Sequence, residues 1–232
     1  MGDIGTAGPD PSWRRLYAIG AGCALLFSIM CLVPIVLVFA APFVPETGRE
    51  VLEYAASHRI VYLVQYVCFV GLSLPALVVF LATGVSLKGA DKGLAAIGGA
   101  IGIASEVAAL SLNGSPQSLH GGLWHMSGQY VTASEPQRLA LSTAAEALIA
   151  SANGLNFVGF STALAILLVS LVMLNGVFGK LTAFVGIATG LVGMAFEPLR
   201  PLLGNAYAVY GTLLLAWFVA VGWRLYRLSE TT

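Results

Sequence analysis

Between Leu16 and Ala40 the chain carries no charged side chain, and between Ile60 and Leu87 it again carries none. Runs of this kind leave few folds open. A helix crosses a hydrocarbon core of roughly 30 Å with about 20 predominantly apolar residues, and it satisfies its own backbone on the way. The first run is too long for a signal-peptide core of about 7 to 15 residues and has no convincing cleavage site behind it. Composition agrees: 58% of the residues are hydrophobic and 9% charged, with a mean hydropathy of +0.87, whereas soluble domains are about one quarter charged.

The apolar pattern predicts an all-α protein, a polytopic transmembrane helix bundle with six spans at about 16–40, 60–87, 94–112, 154–174, 181–196 and 207–225. These form one six-helix domain over residues 14–228, between a Gly- and Pro-rich disordered tail at 1–13 and a short tail at 229–232. Pro34 and Pro75 mark expected kinks, and Pro198 and Pro201 in FEPLRP close the fifth span. A short amphipathic interfacial helix is expected between Ala41 and Arg59, with Val51, Leu52 and Ala55 on its apolar side. Residues 113–139 read as the longest polar connection. The helical pattern from Gln137 to Leu174 is too long for one crossing, so either its first part lies outside the bilayer or the chain bends near Asn153 and Gly154.

Six spans put both termini on one side. Arg14, Arg15, Lys88, Lys92, Lys180, Arg224 and Arg227 then lie on one face, against Arg49, Arg59, Arg138 and Arg200 on the other, which makes both termini cytoplasmic. Trp217, Trp223 and Tyr226 read as interface anchors. Cys23, Cys31 and Cys68 sit in apolar runs and read as reduced, structural thiols. The formal net charge is zero and the basic residues are scattered, which excludes a nucleic-acid partner. The lipid bilayer is the expected partner, with a lipid-like or small-molecule ligand beside it.

One residue stands out. Glu106 lies within the third apolar run, where an acidic side chain costs about 2.5–3.5 kcal/mol at a helix centre, so it is expected to face other helices or a wet cavity, protonated or paired. On the six-span topology Glu106 falls in the outer half of its helix and Gln65 near the outer end of the second. Glu146, Asn153 and Asn156 share a stripe at spacings of seven and three. These five residues predict an outward-facing polar intramembrane pocket with Gln65, Glu146, Asn153 and Asn156 as binding residues. Glu106, His120 and His125 are its candidate catalytic residues, the two histidines lying in a lid formed by the 113–139 connection. Each also has a structural role open to it: Glu106 as a packing residue, the histidines as surface loop residues, and the asparagines as bonds between helices. The histidine spacing fits no strong zinc pattern, and neither a metal nor a cofactor is expected.

FGKLTAFVGIATGLVG, followed after the next span by WFVAVGWRLYRL, resembles a family of bacterial six-span membrane proteins known only as a domain of unknown function. The similarity covers mainly residues 155–228, with an echo in the first two spans. It implies a multi-pass protein of the bacterial inner membrane and carries over no catalytic residue. No HExxH pair or nucleophile elbow is present. Three function classes remain open. One is a membrane-embedded enzyme using acid/base chemistry on a lipid or isoprenoid-like substrate; another is a small transporter or proton-coupled carrier; the third is a non-catalytic accessory or sensor protein.

Overall fold

A computed structural model describes residues 10–37, 39, 41, 44–45, 47–114, 118–152 and 157–231. It is all-α, 89% helical, with no strand among the described residues. The α-helices are α1 (Arg14–Leu37), α2 (Gly48–Ser57), α3 (Arg59–Gly71), α4 (Ser73–Leu87), α5 (Lys92–Asn113), α6 (Leu119–Tyr130), α7 (Glu135–Ala152), α8 (Phe157–Met173), α9 (Lys180–Leu203) and α10 (Ala208–Thr231). Among the described residues five helical stretches are long and apolar enough to cross a membrane: Pro11–Leu37, Arg59–Leu87, Lys92–Asn113, Glu135–Met173 and Lys180–Thr231.

Proline chemistry accounts for the breaks. α3 stops at Gly71 and α4 starts at Ser73 although Leu72 keeps helical dihedrals and donates its N–H to the Cys68 carbonyl. Pro75 has no N–H to offer the carbonyl of Gly71, four residues earlier, so the ladder loses a bond there. The fifth apolar stretch ends differently from the sequence expectation: α9 runs through Pro198 and Pro201 and stops at Gly204. The backbone there has φ +49, a left-handed value suited to glycine, so the stop is set by glycine and the prolines lie within the last turns.

Residue contacts divide the chain into two compact units, where the apolar pattern alone suggested a single domain. The first comprises Met1–Ile29, Ser73–Ala108 and Leu155–Thr232, the second Met30–Leu72 and Ala109–Gly154. Two of the divisions fall beside the carbonyls of Met30 and Gly71, the groups that Pro34 and Pro75 leave without a donor.

In the first unit, small residues set the spacing between helices. α8 and α9 pack as an antiparallel pair, with Gly190 against Leu167 and Gly186 against Ser170. α9 and α10 do the same: the Thr189 hydroxyl reaches the Leu213 carbonyl at 3.2 Å, and Gly193 faces Tyr210. α1 lies along α10, with the Phe27 and Phe218 rings stacked at 3.7 Å. Packing through small residues is how helices associate where lipid offers no hydrophobic drive. Trp217, Phe80, Phe218, Ile166 and Val169 form the buried centre.

One end of this unit gathers seven of the chain's eleven basic residues. Asp10 caps a short 3-10 turn at Pro11–Trp13 and accepts a hydrogen bond from Lys88 at 2.9 Å; residues 10–13 are thus structured, although the sequence suggested a disordered tail up to Trp13. Arg14 donates to the Ser229 carbonyl at 2.9 Å, and the Arg224 guanidinium lies over Gly179. Arg14, Arg15, Lys88, Lys92, Lys180, Arg224 and Arg227 therefore share this end with the acidic Asp10, Asp91 and Glu230.

The second unit is built from shorter helices. The short helix expected between Ala41 and Arg59 is α2, whose Val51, Leu52 and Ala55 are buried in a protein core with Tyr62, Leu123, Tyr130 and Ala145. The 113–139 connection, read as a polar loop, contains α6, because Leu123, Ser127 and Tyr130 repeat at helical spacing and bury one face. Residues 115–117 lie outside the described residues. α7 packs on α2 and α6, whereas α8 packs on α9 and α4.

Candidate functional site

α5 approaches its neighbours through glycine. Gly98 sits against Leu168 and Val169 of α8, and Gly102 against the Phe80 ring of α4. One turn further on, this close approach brings Ser105 and Glu106 against α8, both buried, with Glu106 only 7% exposed. Thr162 of α8 donates to the Ser105 hydroxyl at 3.0 Å and reaches Glu106 Oε1 at 3.4 Å. The Ser73 hydroxyl at the start of α4 is a further hydrogen-bonding neighbour of the carboxylate.

A second buried carboxylate lies three residues along α8 from Thr162. Glu197 of α9, 3% exposed, seats its carboxylate on Gly159, in a niche that a Cβ there would fill. Its Oε1 accepts the Tyr207 hydroxyl at 2.7 Å, while its Oε2 is buried without a hydrogen-bond partner among the described residues. The Arg200 guanidinium stands 5.0 Å from the centre of the Tyr207 ring. Tyr210, 4% exposed, packs against Gly193 of α9 and the Tyr207 ring. Two carboxylates therefore address the same two turns of α8 from different helices. Their surroundings include Thr162, Ser105, Ser73 and Tyr207, hydroxyl groups that can both donate and accept a hydrogen bond.

Of the remaining predicted site residues, Glu146, His120 and His125 have neighbours of their own. Glu146 accepts a hydrogen bond from the Gly48 N–H at the start of α2, the position where a helix favours negative charge. Gln65 is 9% exposed, with Oε1 unpartnered among the described residues. His120 packs among aromatic rings, with Phe69 at 6.0 Å, Tyr66 at 5.9 Å and Tyr62 at 6.4 Å, and burial pushes its imidazole below the ordinary histidine range. His125 is exposed and bonds Gln129 one turn along the same helix, at 3.2 Å. Gln65, Glu146, His120 and His125 belong to the second unit, and Glu106 to the first. Asn153 and Asn156 lie outside the described residues.

At the surfaces the ion pairs follow simple electrostatics. Arg49 donates to Glu53 at 3.0 Å and holds that carboxyl below the usual range, helped by the Tyr130 hydroxyl. Hydrogen bonds from Ser12, then from Lys88, lower Asp10 to about 2. Cys23, Cys31 and Cys68 carry free thiols. Among the described residues no three His, Cys, Asp or Glu side chains come together in a group able to hold a metal ion.

Sequence reasoning found Glu106 and missed the cluster to which it belongs. Glu197 was visible as an acidic residue, but the two prolines that follow it argued for a loop. Thr162, Tyr207 and Tyr210 are ordinary in apolar helices, and only the packing of α8, α9 and α10 gives them a partner. Compared with protein-family models, curated proteins and solved structures, the chain matches none.

Proposed function

We propose that the chain is a six-span integral membrane protein of a bacterial inner membrane, with both termini in the cytoplasm, acting as a small proton-coupled carrier. The antiparallel packing of α9 on α10 supports six traverses, since each arm has 24 residues, about 36 Å at 1.5 Å per residue. The gathering of seven basic side chains at one end of the first unit supports a cytoplasmic placement of that end. These features also accord with the resemblance to the bacterial six-span family.

The observation that carries the carrier reading is the pair of buried glutamates, Glu106 and Glu197, set against one stretch of α8. Intramembrane carboxylates are costly, and where they occur they mark ion pathways and proton relays. Among the described residues every ion pair lies elsewhere. The described groups around the two glutamates are hydroxyls, which can both donate and accept hydrogen bonds. The two histidines that an acid/base enzyme would pair with Glu106 have other described neighbours, aromatic rings around His120 and Gln129 beside His125.

The test is reconstitution in liposomes that enclose a pH-sensitive dye, with inward gradients of amino acids, sugars, organic anions and metal cations applied in turn. A carrier gives a substrate-dependent change of internal pH that Glu106→Gln abolishes while the protein stays folded. An undiminished response in Glu106→Gln, or no pH coupling to any class with the folded wild-type protein, refutes the reading.

A further inference from the structure

α4 and α5 approach so closely that they leave a channel along their outer side. A Cβ built on Gly84 would lie 3.3 Å from the Ala95 carbonyl oxygen and 3.5 Å from the Gly99 Cα. Glycine on both helices therefore brings the backbones together and makes a floor without side chains. The channel above it has a volume of about 320 Å³, walled by Leu81, Val85, Ala96, Ala100 and Ile103, and ends at Lys88 and Lys92. Leu81, Ala96 and Ala100 are exposed, so the channel opens away from the protein interior.

Its length and charge indicate what fills it. From Lys92 to Ile103 α5 rises about 16 Å at 1.5 Å per residue, close to one leaflet of a hydrocarbon core of roughly 30 Å. A partner helix would run through both leaflets, whereas this channel is confined to one. Lys92 is exposed and in no ion pair among the described residues, and Lys88 stands 5.2 Å from the centre of the Trp13 ring. Of the nearby acids, Asp10 forms an ion pair with Lys88 at 2.9 Å, and Asp91 Oδ1 accepts from the Leu94 N–H at 3.0 Å. The surrounding end of the unit carries an excess of basic over acidic side chains.

We propose that the channel between α4 and α5 is a binding site for an anionic glycerophospholipid, one acyl chain lying along the glycine floor and the phosphate held by Lys92 beside Lys88. Trp13 sits at headgroup level, where indoles favour the boundary between hydrocarbon and water. Basic groups between helices at the cytoplasmic side attract anionic headgroups in this way.

The full-length protein in a non-ionic detergent, given equal amounts of dioleoyl phosphatidylglycerol and dioleoyl phosphatidylcholine, is examined by native mass spectrometry. Phosphatidylglycerol is expected to be retained in preference. Lys92→Gln should weaken its retention about fivefold, the effect of one lysine near an anionic surface. Ala100→Trp, at an exposed position that tolerates bulk, should displace the lipid while circular dichroism keeps the wild-type helix signal. Inorganic phosphate should not compete, because the acyl chain supplies the anchorage. Equal retention of the two lipids, wild-type retention in both variants, displacement by phosphate, or a lipid-free dimer that Ala100→Trp dissociates would each overturn the proposal. Glu106→Gln should retain phosphatidylglycerol as the wild-type protein does, so failure here is distinct from failure of the carrier reading.

Discussion

The bond between Tyr207 and Glu197 offers a quantitative test of the buried cluster. Tyr207 is the hydrogen-bond donor to Glu197 Oε1, at 2.7 Å, and Glu197 Oε2 has no partner among the described residues. Tyr207→Phe thus leaves a 3%-exposed carboxyl group with neither oxygen bonded by a side-chain hydroxyl. Stranding a buried polar group costs about 1–3 kcal/mol. Side-chain bonds between membrane helices average only about 0.6 kcal/mol, with a maximum near 1.7, since the reference state finds other partners. The short distance and acidic acceptor put this bond at the upper end, about 1–2 kcal/mol. Tyr207 is only half-buried, so Glu197→Met lets its hydroxyl turn to water, and Tyr207→Phe then costs little. The assay is a double-mutant cycle on unfolding in mixed micelles titrated with a denaturing detergent, run on wild type, both single variants and the pair. A coupling energy of about 1 kcal/mol or more is expected. If Tyr207→Phe costs the same in both backgrounds to within about 0.3 kcal/mol, the bond does not contribute and the account of the Glu197 site is wrong.

The same substitution should act with opposite signs at two glycines. A Cβ on Gly193 meets the Tyr210 ring and comes within 2.7 Å of Ala163 Cβ, whereas one on Gly211 meets nothing within 4 Å. Gly193→Ala should therefore destabilise by about 1–3 kcal/mol through overpacking, and Gly211→Ala should be neutral or stabilising by up to about 1 kcal/mol through helix propensity, measured by the same unfolding titration. His120 gives a pH dependence of definite sign. Burial lowers its pKa in the folded protein from 6.5, so between the folded and unfolded values the unfolded chain binds more protons. Stability should then fall as pH drops below about 6.5 and level off once the folded value is passed; His120→Phe should flatten that part of the profile, and an unchanged profile would contradict the burial of the ring.

Much of the helix pattern could be read directly from the chain. The uncharged runs around α1 and α3–α4 had to become helices in lipid, and the tight turn at Lys88 to Lys92 followed from its glycines and charges. α2 was legible because Val51, Leu52 and Ala55 recur at helical spacing. α6 was missed because its glycines and polar residues outweigh the few apolar positions that bury its inner face. The end of α9 lies beyond Pro198 and Pro201, because prolines in the last turns of a helix remove few of its bonds. Pro75 marked an expected kink in the sequence; in the structure it follows the division between α3 and α4, and the carbonyl it deprives of a donor is that of Gly71.

The sequence by itself determined that the protein is helical and apolar enough to enter a membrane, and that Glu106 is out of place unless something receives it. Those conclusions need only local periodicity and the cost of a charge in hydrocarbon. What receives Glu106 depended on contacts between residues far apart in the chain: Thr162 lies 56 positions away, and Glu197 meets the same helix through Gly159. Only tertiary packing could decide this, because a glycine announces that a backbone can come close without saying whose.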